Sequence, residues 1–277
     1  MTILITGANG KIGTKLLESM VVDRELICLS RNKPSVDAPY VKGNFDSFED
    51  LCKLDGYQIH TVIHLAAVQT GFSEDEIFGT NLLGTRRLFR YLIDRGCKKF
   101  ISISSIAAVG CLDINFFPLQ LPIPDDHPCL ATDAYGTSKA LVEELNKYSN
   151  RKSPATDFIN LRLGSVVENE EIWDRSEVKR HSSLNIPFAN LSKVLMCDVV
   201  RAIATVVDAP LQYGVRTYNV VGKQACCDHP VMEKVESIFG DRLKNVDLSY
   251  YQQAGNEIAP LFDMTRIKNE LGFEPAR

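Results

Sequence analysis

Tyr135 and Lys139 are the residues whose types and spacing most clearly suggest acid–base chemistry. They are four residues apart in a predicted helix, so they share a face and the ammonium group lies near the phenol. A phenol with an ordinary pKa of about 10 is a poor acid or base at neutral pH. A cation one helical turn away favours the ionised phenol and brings its pKa toward the working range. We therefore predict that Tyr135 moves a proton with the help of Lys139.

Three glycines, at positions 7, 10 and 13, follow a short apolar run at the start of the chain and open a predicted helix. A strand–loop–helix unit of this kind binds dinucleotides, because glycine permits a tight turn and a close approach of the backbone to phosphates. The helix N-terminus offers free N–H groups and the positive end of its dipole to the anion. The loop therefore predicts a pyrophosphate site formed by Gly7, Asn9, Gly10, Lys11, Ile12 and Gly13.

The end of the second predicted strand indicates which dinucleotide is bound. Ser30 and Arg31 lie there, and Arg31 follows Gly10 by 21 residues, close to the roughly 20 expected for the position that contacts the ribose. An acid at this position would accept a hydrogen bond from the 2′-hydroxyl of NAD, whereas an arginine pairs well with a 2′-phosphate. The sequence therefore favours NADP as the cofactor, with NAD as the alternative.

Alternating strands and helices must position these residues. Short β-branched apolar runs occur at 3–5, 26–29, 61–65, 100–103 and 158–161, and amphipathic stretches lie between them at 11–21, 47–54, 74–95 and 134–149. This alternation predicts βαβ units and a parallel sheet that is buried on both faces. The rhythm breaks after about Leu163. We predict a dinucleotide-binding domain over 1–163 and a smaller substrate-binding lobe over 164–277, which shares at least one strand with the sheet.

The composition is that of an ordinary globular protein: 277 residues, 45% apolar, 24% charged, and a net charge of −4. No run of one charge sign suggests binding to nucleic acid or to a membrane surface. No apolar run approaches the roughly 18 residues of a membrane-spanning helix, and we expect no secretory signal at the N-terminus. The eight cysteines are scattered without zinc-ligand spacing, so we expect reduced thiols, no metal and a cytoplasmic protein.

Several motifs occur in order along the chain. They are Thr6-Gly7-x-x-Gly10-x-x-Gly13, Gly43-Asn44-Phe45-Asp46, His64-Leu65-Ala66-Ala67, Asn81-x-x-Gly84-Thr85, Ser104-Ser105, Tyr135-x-x-x-Lys139, Leu161-Arg162-Leu163-Gly164 and Leu271-Gly272-Phe273-Glu274-Pro275. This set resembles the extended short-chain dehydrogenase/reductase family, the NAD-dependent epimerase/dehydratase group, over essentially the whole chain. The resemblance implies a Rossmann-type, doubly wound α/β fold with a small C-terminal substrate-binding lobe. It also implies a homodimer formed through the helices at 74–95 and 134–149.

The resemblance also implies roles for individual residues. Ser105 is the catalytic serine that orients the reacting oxygen. Tyr135 and Lys139 also contact the cofactor, and Lys139 binds its ribose. Asn81 is a cofactor-binding candidate, or alternatively a residue that only holds backbone in place. The remaining cofactor contacts are expected at Asn44 and Phe45 by the adenine, Leu65, Ala66 and Ala67 along the pyrophosphate and ribose, and Leu163, Ser165 and Val166 by the nicotinamide. The substrate contacts are expected at Val68, Gln69, Thr70, Ser105 and Arg175.

Departures from the family's patterns argue against some of the reactions that its members catalyse. Ile106 follows Ser105 in place of the acid pair of dehydratases, and Ser165 stands where nucleotide-sugar epimerases usually have asparagine. These departures resemble uronate dehydrogenases and similar compact members that act on small substrates. We therefore predict an NADPH-linked reductase or dehydrogenase of a small sugar-like or carbonyl substrate, with hydride transfer and Tyr135 as the acid–base group. The alternatives are a nucleotide-sugar 4-epimerase and a non-catalytic, NADP-sensing regulatory protein.

Overall fold

The computed structural model describes residues 1–168, 186–227, 230–244 and 246–277. Nine stretches of this described chain are β-strands. They are β1 (Thr2–Thr6), β2 (Leu26–Ser30), β3 (Tyr40–Lys42), β4 (Ile59–His64), β5 (Lys99–Ser105), β6 (Asp157–Leu163), β7 (Ser165–Val167), β8 (Lys193–Leu195) and β9 (Gly214–Val220). The predicted apolar runs all fall within these strands or at their ends, because runs of β-branched apolar residues suit a sheet that is covered on both sides.

Seven of the strands form one parallel sheet in the order β3-β2-β1-β4-β5-β6-β9, and β7 pairs with β8 in a separate parallel ribbon. The order reverses between β1 and β4, so the loops that follow these two strands meet at the carboxyl edge of the sheet. In open α/β sheets ligands bind at this reversal point. The predicted Rossmann-type parallel sheet is therefore confirmed, and β9 at its edge comes from beyond residue 163.

Helices cover both faces of the sheet, and others lie beyond it. The helices of the described chain are α1 (Lys11–Met20), α2 (Phe48–Cys52), α3 (Glu74–Ile77), α4 (Thr85–Ile93), α5 (Ala134–Lys152), α6 (Pro187–Leu191), α7 (Met196–Asp208), α8 (Val231–Phe239) and α9 (Thr265–Leu271). The stretch predicted to be helical over 74–95 is helical from Glu74 to Ile93, but its middle part (Phe78–Gly84) is a π-helical segment that lies between α3 and α4. The wider turn of this segment holds Asn81, whose side chain binds backbone outside the helix.

Two apolar layers sandwich the sheet. On one face Leu16 of α1 and Ile203 of α7 are completely buried against the strands. On the other face Phe89 of α4 packs on Phe100 of β5, with ring centroids 4.9 Å apart, and Phe100 stacks on Phe158 of β6 at 5.1 Å. Burial of each such side chain contributes about 1.5–3 kcal/mol to folding. These layers fix the strands whose carboxyl ends carry the candidate site.

A separate apolar core lies beyond the sheet, where Phe188 of α6 packs between Phe116 and Phe239 of α8, with ring centroids 5.2 and 5.4 Å away. It joins the segment after β5 to the C-terminal part of the chain. The domain division near residue 163 and the homodimer stay predictions. No helix in the described ranges is both long enough and apolar enough to span a bilayer.

Candidate active site

The loop between β1 and α1 needs its glycines for steric reasons. Gly7 has a φ of +74°, a region that favours glycine, and a Cβ there would lie 2.6 Å from the backbone nitrogen of Ala66. A Cβ on Gly13 would lie 2.2 Å from the Gly7 carbonyl oxygen, so a side chain would push α1 away from the loop. No side chain caps the first turn of α1, so its N–H groups remain available to an anion. This backbone fits a dinucleotide pyrophosphate.

A first cavity of about 460 Å³ opens over this loop, at the carboxyl ends of β1 to β4. Predicted site residues that line it are Gly7, Asn9, Gly10, Arg31, Asn44, Phe45, Leu65, Ala66, Ala67 and Val68. The remaining lining residues are Ala8, Leu29, Ser30, Asn32, Gly43, Asp46, Phe72 and Thr80. Its volume is that of an ordinary small-molecule pocket, and its place over the glycine loop suits the adenosine half of a dinucleotide.

Arg31 is exposed at the wall of this first cavity, just beyond β2. The turn that presents it is held by two hydrogen bonds to the Asn32 carbonyl oxygen, from the Ser30 hydroxyl (2.7 Å) and from the Asn9 amide (3.0 Å). Among the lining residues in the described chain, the one acid is Asp46, which follows β3 rather than β2. The position after β2 therefore presents a positive charge and no carboxylate.

A second cavity of about 660 Å³ lies over the carboxyl ends of β5 and β6, and Phe72 lines both cavities. Predicted site residues that line it are Lys11, Ile12, Gln69, Thr70, Ser105, Tyr135, Leu163, Ser165 and Val166. Sequence reasoning missed other lining residues, among them Phe72, Ile77, Leu112, Asp133, Glu168, Ala189 and Met196. No short motif marks these residues, because the fold brings them together from stretches that are far apart in the sequence.

Ser105 and Tyr135 reach the same wall because of two local features. The Ser105 hydroxyl accepts a hydrogen bond from the N–H of Ala107 (3.1 Å), which starts a short 3-10 turn after β5. The Asp133 carboxylate accepts a bond from the N–H of Gly136 (2.8 Å) and so begins α5 just before Tyr135. A Cβ on Gly136 would lie 2.5 Å from the Ala107 carbonyl oxygen, so glycine allows α5 to approach the 3-10 turn closely.

Lys139 lies one turn after Tyr135 but lines neither cavity. It is buried, its Nζ donates to the Ile103 carbonyl oxygen (2.8 Å), and Nζ lies 5.6 Å from the centroid of the Tyr135 ring. Burial lowers the pKa of Lys139 to about 8, because the charged form is poorly solvated there. The amino group is therefore close to Tyr135, and burial makes it easier to deprotonate than an ordinary lysine although it stays mostly charged at neutral pH.

The pKa of Tyr135 moves in the direction opposite to the one expected from its lysine neighbour. Burial raises the pKa of Tyr135 above its ordinary value, against the opposing effect of hydrogen bonds from the side chains of Gln69 and Ser105. The expectation that Lys139 makes this phenol more acidic is therefore wrong for this structure, because burial of the phenol outweighs its neighbours. Tyr135 is neutral at ordinary pH and is ready to donate a proton.

Asn81 lines neither cavity, and it affects the site by holding the backbone of Val68 in place. Its Oδ1 accepts a bond from the N–H of Val68 (2.8 Å), and its Nδ2 donates to the Val68 carbonyl oxygen (2.9 Å) and to the Ser138 hydroxyl (2.9 Å). It therefore fixes the loop after β4 against α5. Gly13 also lies behind the cavities, where it allows α1 to pack on the loop. The predicted substrate contact Arg175 lies outside the described residues.

His64 ends β4 directly behind the first cavity. Its two ring nitrogens pair with the hydroxyls of Thr6 (2.7 Å) and Thr85 (2.8 Å), and its side chain is buried. Burial lowers the pKa of His64 to about 3, and the charge of Lys139 acts in the same direction. A neutral, fully paired histidine joins β1, β4 and α4, so its role is to hold the strand end and not to exchange protons with a substrate.

Comparison with known proteins places this geometry in a family. The model of the NAD-dependent epimerase/dehydratase family matches residues 3–176. The NAD-dependent glucose-6-phosphate dehydrogenase of Haloferax volcanii is 26% identical over 221 residues, which is 71% of this chain and 79% of that protein. The UDP-glucose 4-epimerase of Halalkalibacterium halodurans is 26% identical over 163 residues, which is 52% of this chain and 45% of the epimerase. The chain thus spans less than half the length of that epimerase.

Solved structures show the same fold. A short-chain dehydrogenase/reductase superfamily protein from Agrobacterium tumefaciens with bound NAD has a TM-score of 0.75 at 21% identity, covering 100% of this chain and 93% of that one. The UDP-glucose 4-epimerase of Thermotoga maritima with UDP-glucose has a TM-score of 0.72 at 19% identity, covering 100% of this chain and 94% of the epimerase chain. The family match takes in the glycine loop, Ser105, Tyr135 and Lys139. This chain belongs to the NAD-dependent epimerase/dehydratase family.

Proposed function

We propose that this protein is an NADP-dependent oxidoreductase that reduces a small sugar-like or carbonyl substrate. Ser105 and Tyr135 carry the proposal, because their side chains meet in a cavity that continues from the glycine loop. A nicotinamide dinucleotide supplies hydride transfer when it is bound in such a site. The Ser105 hydroxyl holds the substrate oxygen, and the neutral Tyr135 phenol donates a proton to it.

Lys139 has a supporting role in this proposal. Loss of the Tyr135 proton leaves a phenolate, which a nearby cation stabilises. Lys139 lies 5.6 Å from the phenol ring, and its pKa of about 8 leaves it mostly protonated at neutral pH. Asn81 contributes indirectly, since it fixes the backbone of Val68 next to Gln69 and Thr70, the proposed substrate contacts.

Arg31 supports NADP over NAD. Its guanidinium is exposed at the end of the first cavity and can form two parallel hydrogen bonds with a 2′-phosphate, each charge-assisted. Bonds of that kind contribute about 1.5–3 kcal/mol, so we expect NADP⁺ to bind at least about tenfold more tightly than NAD⁺. Calorimetric titration of both cofactors measures this ratio.

The control for Arg31 lies two residues further along the same turn. Arg31→Asp is expected to remove the preference for NADP⁺, whereas Lys33→Asp makes the same charge reversal outside the cavity, where Lys33 pairs with Asp37 at 3.1 Å. We expect Lys33→Asp to keep most of the preference. Equal affinities of the wild-type protein for the two cofactors, or an equal loss of preference in both variants, would contradict the proposed role of Arg31.

A nucleotide-sugar 4-epimerase is the second candidate, because UDP-glucose 4-epimerases occur among the relatives. Such an enzyme returns its cofactor to the starting state in each cycle, whereas a reductase consumes NADPH. Within the described chain Lys11 is the one cation that lines the second cavity, which offers little to a sugar diphosphate. Net loss of NADPH absorbance with a panel of aldehydes, ketones and free sugars supports the reductase. Interconversion of UDP-sugars without net NADPH loss supports the epimerase.

A further inference from the structure

The second cavity of the candidate active site combines a polar cluster with a group of apolar side chains. Gln69 and Ser105 form hydrogen bonds with the Tyr135 phenol through their side chains, and Thr70 lies next to Gln69 in the same lining. The rest of the lining includes six apolar side chains that are neither predicted catalytic residues nor predicted nicotinamide contacts. They are Phe72, Ile77, Ile106, Leu112, Ala189 and Met196. We call these six residues the apolar wall.

Two residues of the apolar wall are exposed to solvent, and the other four are buried. Phe72 is 50% exposed and Leu112 is 36% exposed, whereas the other members are at most 6% exposed. Large apolar side chains that face water beside a cavity favour binding of apolar surface, because covering them releases the water that they contact. The apolar wall therefore favours a ligand with an apolar part.

The backbone before Leu112 is shaped to place this side chain at the cavity. Gly110 ends the 3-10 turn after β5 with a φ of +112°, a conformation that favours glycine. A Cβ on Gly110 would lie 2.7 Å from the ring of Phe116. Cys111 is buried, and Leu112 directly after it lines the cavity. A tightly packed turn therefore holds the exposed leucine in place.

Several polar side chains elsewhere in the lining are already paired within the protein. The Ser104 hydroxyl donates to the Glu143 carboxylate (2.7 Å), and the Ser165 hydroxyl donates to the Ala189 carbonyl oxygen (2.8 Å). One carboxylate oxygen of Asp133 accepts the backbone hydrogen bond that begins α5, and its other oxygen is shielded from solvent. Hydrogen-bonding groups that a ligand can use are therefore concentrated around the catalytic pair.

The charges of the described lining disfavour an anionic substrate. Asp133 and Glu168 are its acids, and Lys11 is its one cation. Lys11 is the first residue of α1, directly after the glycine loop, so the pyrophosphate of a bound dinucleotide offsets its charge. A carboxylate or phosphate of a substrate would then meet two acids and no further cation of the described lining.

We propose that the second cavity takes an uncharged aldehyde or ketone with an apolar alkyl or aryl body, in preference to a free sugar or an anionic carbonyl compound. This inference rests on the reductase function proposed above and narrows its substrate class. The apolar body lies against Phe72 and Leu112. A sugar would place hydroxyl groups there, and each of them would lose its water without gaining a partner.

The reaction of such a substrate is balanced. The carbonyl carbon gains a hydride from NADPH, which is oxidised to NADP⁺, and the carbonyl oxygen gains the proton of the Tyr135 phenol. The aldehyde or ketone is thereby reduced to an alcohol. Tyr135 then regains a proton from solvent.

Three ketones with the same butanone skeleton test the preference. Benzylacetone carries a phenyl group, levulinate carries a carboxylate, and erythrulose carries hydroxyl groups. We expect kcat/KM, measured from the loss of NADPH absorbance, to be at least about tenfold higher for benzylacetone, because its phenyl group buries apolar area against the wall. A kcat/KM for erythrulose or levulinate that equals or exceeds that for benzylacetone overturns the inference and leaves the reductase function standing.

Calorimetry separates binding from turnover. Hydrocinnamamide and glyceramide are carboxamides that NADPH does not reduce, and each is titrated into the NADPH-saturated protein. We expect hydrocinnamamide to bind at least about tenfold more tightly than glyceramide. Equal or weaker binding of hydrocinnamamide overturns the inference. This titration also decides the inference if no carbonyl compound is reduced and the reductase function itself fails.

Leu112→Gln tests the apolar wall directly, and Leu130→Gln is its matched control. Leu130 is 43% exposed, lies in the same segment between β5 and α5, and lines neither cavity. We expect Leu112→Gln to lower kcat/KM for benzylacetone and the affinity for hydrocinnamamide by about fivefold or more, with less than about a twofold change for erythrulose. We expect Leu130→Gln to change none of these quantities by more than about twofold. An unchanged preference in Leu112→Gln, or equal losses in the two variants, overturns the role of the apolar wall.

Discussion

The pKa of Tyr135 decides which proton transfer this residue can perform. Burial raises it, so the phenol stays protonated at neutral pH and serves as a general acid toward a developing alkoxide. We expect Tyr135→Phe to lower kcat by about 10²–10⁴-fold, the usual contribution of a general acid, while the Kd for NADP⁺ stays within about twofold. Steady-state assays and cofactor titration measure the two quantities. Wild-type kcat in this variant would exclude the proposed role of Tyr135.

A second prediction concerns His64 and acid stability. Folded His64 has a pKa of about 3, whereas an unfolded histidine titrates at about 6.5. Between these values the unfolded chain binds a proton that the folded chain does not, so the free energy of unfolding falls as the pH decreases from about 6.5 to about 3. Below about pH 3, His64 no longer contributes to the pH dependence of the free energy of unfolding. The loss is on the order of a few kcal/mol.

Urea unfolding at several pH values measures the contribution of His64. His64→Gln loses some native hydrogen bonding at every pH, which lowers stability by a constant amount. The prediction concerns the slope: the difference in unfolding free energy between wild type and variant shrinks as the pH falls from about 6.5 to about 3. A difference that is constant across this range would show that the folded histidine titrates normally.

Among the elements, the π-helical segment Phe78–Gly84 matters most to the site, because it carries Asn81. Three hydrogen bonds of Asn81 tie Val68 and Ser138 together. Asn81→Ala removes the partner of the partly buried N–H and carbonyl groups of Val68, so we expect a loss of about 1 kcal/mol in unfolding free energy and a lower kcat/KM. Asn81→Asp keeps an acceptor for the Val68 N–H but loses the donor to the Val68 carbonyl oxygen, so we expect a loss between those of wild type and Asn81→Ala. Wild-type stability of Asn81→Ala would contradict this account.

The elements also show what the sequence could and could not reveal. The strands were predictable because a sheet covered on both faces requires apolar runs, and the glycine loop was predictable because Gly7 and Gly13 have no room for side chains. The π-helical segment was not, since helical periodicity continues through it. Phe72 joins the two cavities, and its position depends on the folding of a loop without a pattern. The raised pKa of Tyr135 depends on burial, which spacing alone does not determine.

For the molecule as a whole, a buried ion pair joins α5 to β6, and the arginine of this pair also holds the segment between β5 and α5. Arg162 of β6 donates to both carboxylate oxygens of Glu143 in α5, at 2.9 and 2.8 Å, and both side chains are 4% exposed. Its remaining amino group donates to the backbone carbonyl oxygens of Asp125 (3.1 Å) and His127 (3.4 Å). The Asp125 carboxylate in turn accepts a bond from the N–H of Asn219 in β9 (2.6 Å).

Removal of one partner of this pair leaves the other as a buried, uncompensated charge. We expect Glu143→Gln to lower the free energy of unfolding by about 3–5 kcal/mol, whereas Glu144→Gln, beside it on α5, breaks only an exposed pair with Lys147 and costs less than about 1 kcal/mol. The double variant Glu143→Gln/Arg162→Met removes the stranded charge and is expected to be more stable than Glu143→Gln alone. Urea unfolding measures the free energy of unfolding of all three variants. Similar losses in Glu143→Gln and Glu144→Gln would show that the buried Arg162–Glu143 pair contributes no more to the free energy of unfolding than an exposed pair does.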